Sequence, residues 1–207
     1  MGLALFDLDG TIVRGQSQIL LLRYLARMGV VGKPLFVKIC FLFLLYKAGF
    51  VRSPEKAMSY AYRHITIGLS GERMSRLLAR FYDNVLRHRL CAPVVARVKE
   101  HIENEDEVVL VTNVFEPLAR MVAEKLGIRR VIATRLEMAG RVYTGKIEGG
   151  IVYGDNKAEA LRRLYDEVEL KSGCAYADHP SDRAFLDMVG KAFLVDAREG
   201  RIEPYGG

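Results

Sequence analysis

The sequence predicts an α/β protein with a Rossmann-like, doubly wound parallel sheet and an inserted all-helical cap domain. The first observation is an apolar run near the N-terminus that stops at two aspartates, Asp7 and Asp9. The second is the alternation of helical and short apolar patterns in the second half of the chain, which is typical of a parallel sheet. The third is a basic helical segment, 14–90, that interrupts this pattern. We therefore expect a core of 1–13 and 91–207 with the cap inserted between its two parts.

Short apolar runs bounded by turn residues predict the strands of the core. They lie at 3–6, 107–111, 131–133, 173–177 and 192–195, with a hairpin over 135–147. Helical periodicity, prolines in first turns and a closing glycine predict the helices between them. These helices cover 93–103, 117–127 and 157–166. Asn156 is expected to cap the last of them.

Four helices are predicted in the insert. They cover 18–28 with Ser17 as the N-cap, 34–48, a segment that starts near Pro54, and 70–88. The second helix has an apolar centre of eight residues between Lys38 and Lys47, far short of the ~20 residues that cross a bilayer. Either this helix is buried in a small bundle, which we favour, or 34–50 lies on a membrane surface with its lysines at the headgroups.

Charge is distributed unevenly along the chain. The net charge is +6, but 14–90 contains 14 Lys and Arg against 3 Asp and Glu, which gives +11 there and −5 elsewhere. Such a basic segment attracts anions: phosphorylated metabolites, anionic lipid headgroups or nucleic acid. A solvated helix surface rich in arginine is the alternative. Because no basic stripe is interleaved with aromatic residues, we expect no nucleic-acid partner.

The cysteines and the position of the first motif indicate the cellular compartment. Cys40, Cys91 and Cys174 are too widely separated for a disulfide framework or a C-x-x-C metal site. We expect reduced, mostly buried thiols. A motif that begins at Asp7 leaves no room for a cleavable signal peptide. The expected location is cytoplasmic. If 34–50 lies on a membrane surface, we expect the protein to be membrane-associated as well.

Polar side chains converge on one edge of the predicted sheet, the edge where open α/β sheets bind ligands. They are Asp7, Asp9, Thr112 and Asp178 at strand ends, with Lys157 and Asp182 at helix starts. Four carboxylates and one lysine sum to −3, which would repel a phosphate dianion. A divalent cation is therefore required, and donors that are all oxygen favour Mg²⁺ over zinc.

Four stretches, in this order, resemble the four motifs of the haloacid dehalogenase superfamily. They are Phe6-Asp7-Leu8-Asp9-Gly10-Thr11, Leu110-Val111-Thr112-Asn113, Gly154-Asp155-Asn156-Lys157 and Tyr176-Ala177-Asp178-His179-Pro180-Ser181-Asp182. The insert between the first two motifs is similar to the helical cap of the phosphoserine-phosphatase-like branch. The resemblance implies a Mg²⁺-dependent phosphatase that hydrolyses a phosphate monoester through an aspartyl-phosphate intermediate.

The resemblance also implies a role for each site residue. Asp7 would be the nucleophile, Asp9 the acid and base, Thr112 a hydrogen-bond donor to the phosphoryl group, and Lys157 a balance for negative charge. Mg²⁺ would be held by Asp7, by the backbone carbonyl of Asp9 and by Asp178, with Asp182 orienting Lys157 or a metal-bound water. The candidate substrate contacts are Gly10, Asn113, Gln16 and Arg14, with Arg52 and Arg63 as further cap candidates and His179 as a loop residue.

Departures from the branch pattern limit the substrate. In phosphoserine phosphatases, a glutamate nine residues after the nucleophile meets the substrate ammonium, whereas this chain has Gln16. A neutral amide does not replace that charge, so phosphoserine is disfavoured. The basic cap also resembles that of phosphatidylglycerophosphate phosphatases, and the alternative is a lipid-phosphate phosphatase at a membrane surface. A second alternative is a non-catalytic anion-binding module.

Overall fold

The computed structural model describes residues 2–47, 54–178 and 182–206. Its strands are β1 (Leu3–Phe6), β2 (Glu107–Phe115), β3 (Arg130–Ala139), β4 (Val142–Glu148), β5 (Cys174–Ala177), β6 (Lys191–Asp196) and β7 (Arg201–Pro204). They form one sheet in the order β4-β3-β2-β1-β5-β6-β7. The five central strands are parallel, and an antiparallel strand closes each edge. The predicted α/β fold with a largely parallel sheet is confirmed.

Helices cover both faces of this sheet. They are α1 (Ser17–Arg27), α2 (Lys33–Lys47), α3 (Pro54–Thr66), α4 (Gly71–Asn84), α5 (Ala92–Glu103), α6 (Glu116–Leu126), α7 (Asp155–Arg162), α8 (Glu167–Ser172) and α9 (Arg183–Leu186). Side chains alternate across the strands, so Ala4 and Phe6 of β1 pack in one hydrophobic cluster and Leu3 and Leu5 in another. The first cluster includes side chains of α5 and α6, and the second includes side chains of α7, α8 and α9.

The predicted ends of the insert lie side by side. Val13 and Leu90 form an antiparallel bridge. Next to it, the Arg14 N–H donates to the Arg89 carbonyl at 2.7 Å, and the Cys91 N–H donates to the carbonyl of residue 12 at 2.8 Å. The chain thus leaves and rejoins the α/β part at one place, with α1 to α4 between. We keep 14–90 as the proposed range of the cap.

The insert reaches the sheet through α3. The Tyr62 hydroxyl donates to the backbone carbonyl of Asn113 in β2 at 2.9 Å, and its ring packs edge-on against Phe115 with centroids 5.4 Å apart. Thr134 of β3 donates to the same carbonyl at 2.8 Å. Because Tyr62 is buried, this contact fixes α3 directly beside the strand that carries the second motif.

Helix α2 buries only one of its sides. Ile39 is buried, whereas Val37, Phe41 and Leu44 are exposed and share one helical face. Burial in a bundle, the favoured prediction, therefore holds for one face of α2. The part of 34–50 beyond residue 47 lies outside the described residues. Among the described helices, none is both long enough and apolar enough to span a bilayer.

Two predicted helix caps are wrong. Ser17 is the first residue of α1 and Gln16 its N-cap. The Ser17 N–H is bound by the Asp9 carboxylate at 2.8 Å, so a side chain from outside the helix satisfies this end of α1. Asn156 is the second residue of α7, which follows Gly154 as N-cap. Its side-chain amide instead donates to the carbonyl of residue 151 at 2.9 Å.

Four element boundaries also differ from the predictions. The first is that of β3, which runs unbroken through the predicted strand 131–133 and the first arm of the predicted hairpin. The predicted helix 157–166 ends earlier, and α8 starts separately after a capping box on Asp166. The predicted helix 70–88 is shorter in the structure, where α4 ends at Asn84 and Leu86–Arg89 forms a separate 3-10 turn. β2 continues past residue 111, and the structure adds a strand that the sequence does not predict, β7, whose four residues include Pro204. Proline at a strand end is tolerated on an edge strand, which β7 is.

Replacing Tyr62 by Phe tests the contact between α3 and β2. It removes one buried hydrogen bond while the acceptor keeps its bond from Thr134, so we expect a loss of about 1 kcal/mol in the free energy of unfolding. Chemical denaturation measures it. Tyr60→Phe is the matched control, because no hydrogen bond of the Tyr60 hydroxyl is described, and it should leave stability nearly unchanged. Equal effects of the two changes would contradict the assigned contact.

Candidate active site

A buried lysine joins two carboxylates at the carboxyl edge of the sheet. The Lys157 Nζ donates to Asp7 Oδ1 and to Asp182 Oδ1, each at 2.6 Å. Asp7 follows β1, Lys157 lies in the first turn of α7, and Asp182 precedes α9. Burial opposes the lysine charge, but the two carboxylates outweigh it and raise the pKa of Lys157 above its usual value. The charged ammonium form of Lys157 is therefore favoured between its two partners.

Opposing effects act on the pKa of the Asp7 carboxyl. Burial raises its pKa to about 7, Lys157 acts in the opposite direction, and the charges of Asp182 and Asp178 add to the increase. Its backbone N–H donates to the Tyr176 carbonyl of β5 at 3.0 Å. The sheet thus fixes the backbone of Asp7, and Lys157 fixes one of its two carboxylate oxygens.

Asp9 points to the start of α1 and not to the lysine. Its Oδ1 accepts the Ser17 N–H, while its buried Oδ2 has no hydrogen-bond partner among the described residues. Burial raises the pKa of Asp9 to about 7, against the opposing effect of its contacts with Ser17. A carboxyl with one bound and one unbound oxygen and a pKa near neutrality can hold or release a proton under physiological conditions.

Gly10 allows the loop after β1 to pass directly against Asp178. Its φ is +86°, and a Cβ placed there would lie 1.8 Å from Asp178 Oδ2. Both the conformation and the contact require glycine at this position. Asp178 follows β5 directly, and burial raises its pKa to about 6, with a further contribution from the charge of Asp182.

Three carboxylates are placed to share a cation. One oxygen each of Asp7, Asp178 and Asp182 can lie within 4.8 Å of the others. Hard oxygen donors of this kind suit Mg²⁺, so the residues fit the predicted metal. The Asp9 side chain is not part of this group, because Ser17 holds it. That its backbone carbonyl is a ligand stays a prediction.

The second motif lies on the same edge but contacts other groups. Phe6 pairs with Leu110 across β1 and β2, which places Thr112 two residues beyond that pair. The Thr112 Oγ1 accepts the Val114 N–H at 3.2 Å, so its own proton is left to donate. The Asn113 side chain accepts a hydrogen bond from Gln18 at 3.2 Å. Asn113 therefore ties the sheet to α1, a contact that nothing in the motif signals.

The other predicted substrate contacts are dispersed. Gln16 is exposed and lines an open cleft of about 560 Å³ together with Gly10 and Asp178. Arg14 is exposed, and Arg63 lies against Gly145 of β4. Arg52 and His179 fall outside the described residues. The β6–β7 hairpin also lines the cleft, with Arg198 and Arg201, which lie after the last motif.

The carboxyl edge of the parallel sheet holds a strand-end aspartate pair, a buried lysine and two further aspartates. This is the arrangement that the four motifs predict. The chain belongs to the family of haloacid dehalogenase-like hydrolases, whose sequence model matches residues 4–187. The predicted resemblance is therefore confirmed over nearly the whole chain.

Several known sequences and solved structures are similar to this chain. The phosphoserine phosphatase SerB1 of Mycobacterium tuberculosis is 27% identical over 206 residues, which cover 94% of this chain and 65% of that protein. The chain thus spans about two thirds of this relative. A crystal structure of a protein of unknown function from Bordetella pertussis superposes with a TM-score of 0.82 at 26% identity, covering 92% of this chain and 87% of the other. A substrate-bound phosphoserine phosphatase, at 20% identity and a TM-score of 0.65, covers 92% of this chain and 84% of its own, and shares the fold.

Gly10→Ala tests the packing of the loop after β1 against the carboxylate cluster of Asp7, Asp178 and Asp182. The added methyl group meets the Asp178 carboxylate, so we expect loss of Mg²⁺ binding, measured by calorimetric titration. Gly29→Ala is the matched control, because Gly29 also has a positive φ, +70°, but nothing within 4 Å of the added carbon. It should cost about 1–2 kcal/mol in stability and leave Mg²⁺ binding intact. Unchanged Mg²⁺ affinity in Gly10→Ala would contradict the assignment.

Proposed function

We propose that this protein is a Mg²⁺-dependent phosphatase that hydrolyses a phosphate monoester through an aspartyl-phosphate on Asp7. The observation that carries the proposal is the buried Lys157 held between Asp7 and Asp182, next to the third carboxylate, Asp178. The similarity to a relative named as a phosphatase supports it. A non-catalytic anion-binding module is disfavoured because each predicted catalytic side chain is retained.

In the first step, the Asp7 carboxylate attacks phosphorus. Lys157 holds its Oδ1, so the second oxygen is left to form the bond to phosphorus while the ester P–O bond breaks. The leaving alkoxide takes a proton from Asp9, whose pKa of about 7 allows the acid form near neutral pH. Thr112 donates a hydrogen bond to a phosphoryl oxygen, and Lys157 offsets the charge that accumulates.

In the second step, water hydrolyses the aspartyl-phosphate. Asp9, now ionised, takes a proton from the attacking water, and the Asp7–phosphorus bond breaks to release phosphate. One carboxyl thus serves both half-reactions and returns to its starting protonation state. The Ser17 N–H keeps its Oδ1 fixed, which leaves Oδ2 as the atom that carries the proton.

The metal has a defined place in this proposal. Asp7, Asp178 and Asp182 would hold Mg²⁺. When bound, the ion supplies the positive charge that lets a phosphate dianion approach a cluster of carboxylates.

The leaving group is chosen at the mouth of the site. Gln16 offers an amide at the cleft, so a substrate ammonium would find no charge partner in this side chain, and we propose phosphorylated small molecules other than phosphoserine. A lipid phosphate at a membrane surface is the second candidate. The exposed apolar face of α2 favours it.

Asp7→Asn tests the nucleophile. An amide oxygen is a poor nucleophile, so we expect turnover of an aryl phosphate to fall by at least about 10³-fold, with a circular dichroism spectrum like that of the wild type. Asp155→Asn is the matched control, because Asp155 belongs to the third motif but is exposed in the first turn of α7. It should retain activity. Substantial turnover by Asp7→Asn would refute the covalent mechanism, and an inactive wild type would favour the binding module.

The pH dependence of Mg²⁺ stabilisation tests the cluster. Burial raises the pKa of Asp7 to about 7 and that of Asp178 to about 6. Without metal, ionising these groups costs stability as the pH rises through those values, and below them protons compete with Mg²⁺. Mg²⁺ should therefore raise the melting temperature more above pH 7 than below pH 6. If Mg²⁺ raised the melting temperature equally at high and low pH, or still raised it in Asp178→Asn, the result would contradict a metal site at these carboxylates.

A further inference from the structure

Exposed large apolar side chains are concentrated in one part of the helical insert. Twelve are exposed in the described residues, and five of them lie within residues 28–44. The five are Met28, Val30, Val37, Phe41 and Leu44. Single exposed apolar residues need no explanation, but a contiguous apolar patch marks an interaction surface, and Val37, Phe41 and Leu44 form such a stripe along one face of α2.

This part of the chain is also strongly basic. Residues 10–54 include no Asp or Glu and seven basic residues. Those of α1, α2 and the turn between them are Arg23, Arg27, Lys33, Lys38 and Lys47. The apolar side chains are thus presented by a segment without any negative charge of its own.

A cavity next to these residues adds a cluster of arginines. It lies between α1 and α4, has a volume of about 210 Å³, and includes Met28 and Val30 in its lining. Arg73, Arg76 and Arg80 also line it, spaced so that they share one face of α4. Arg76 pairs with the exposed Glu72 at 2.9 Å, and no ion pair is described for Arg73 or Arg80. A cavity with apolar and guanidinium walls suits an anionic headgroup attached to hydrocarbon.

We propose that the helical insert docks on an anionic lipid bilayer through this surface. The five apolar side chains enter the interfacial region, and the α4 arginines bind headgroup phosphates. A second copy of the chain is the poorer occupant, because joining two copies here would bring together two inserts of +11 each. A bilayer with anionic headgroups matches both the charge and the apolar side chains.

The docking surface is separate from the chemistry. None of its residues belongs to the carboxylate cluster, so the proposal does not rest on phosphatase activity. Its consequence for function is one of location: a docked insert holds the adjoining α/β part close to phosphate esters carried by the membrane.

Vesicle sedimentation of the full chain tests the proposal. We expect binding to vesicles of phosphatidylglycerol and phosphatidylcholine at low salt, weaker binding as salt screens the arginines, and none to pure phosphatidylcholine. Asp7→Asn should bind like the wild type, which separates docking from catalysis. Absence of binding to the anionic vesicles would overturn the proposal.

Matched variants locate the surface. The triple change Arg73→Gln, Arg76→Gln and Arg80→Gln should weaken binding by about 100-fold, from three headgroup contacts. The control triple Lys99→Gln, Arg129→Gln and Arg162→Gln removes the same charge from exposed positions of the α/β part and should weaken binding less than about threefold. Equal losses would overturn the assigned surface in favour of general charge attraction.

The apolar contribution is tested by Phe41→Ser with Leu44→Ser. We expect binding to fall at least about tenfold, while Leu164→Ser with Val168→Ser, also exposed, leaves it unchanged. Melting curves confirm that each variant is folded. Sedimentation velocity of the wild type identifies the rival occupant: a dimer that the Phe41 and Leu44 changes dissociate, without loss of vesicle binding, would overturn the proposal.

Discussion

The buried ammonium of Lys157 is the constraint on which the rest of the structure depends. Its two carboxylate partners lie 150 and 25 residues away in sequence, and a buried charge is tolerated only with its partners in place. The central position of β1, between β2 and β5, brings these segments to one edge. The same arrangement places Asp178 beside Gly10 and leaves an excess of negative charge that a bound divalent cation would neutralise. The fold and the electrostatics of this edge of the sheet thus meet in one contact.

The sequence was most informative where a local signal coincides with the chemistry. Asp7 and Asp178 each end an apolar run, and parallel strands place such ends on one edge, so the cluster could be predicted without coordinates. The contact between Asp9 and the start of α1 could not, because it joins a loop carboxylate to an amide eight residues later. Propensity favours Ser17 as a cap, yet Ser17 is the first residue of α1, and its hydroxyl has no hydrogen-bond partner among the described residues. The contacts of Asn113 were missed for the same reason: their partners are distant in sequence.

Helix α2 shows a different limit of sequence patterns. Its centre is apolar on all sides, so periodicity could not identify the buried face. Packing against neighbouring elements determines which face is buried. Ile39 packs in the core, while Phe41, only two residues later, is exposed. The arginine-lined cavity likewise cannot be predicted from the sequence, because its walls come from two helices separated by most of the insert. Surfaces formed by tertiary packing are thus the part of this protein that required a structure.

The bridge between Val13 and Leu90 has a mechanical consequence. The insert enters and leaves the α/β part at this one place, but Tyr62 and Gln18 also bond to Asn113. A displacement of the whole insert would therefore have to break those contacts as well. Because the Ser17 N–H bonds to Asp9 Oδ1, a shift of α1 away from the sheet would break this bond too. The orientation of the Asp9 carboxyl is thus coupled to the position of the insert.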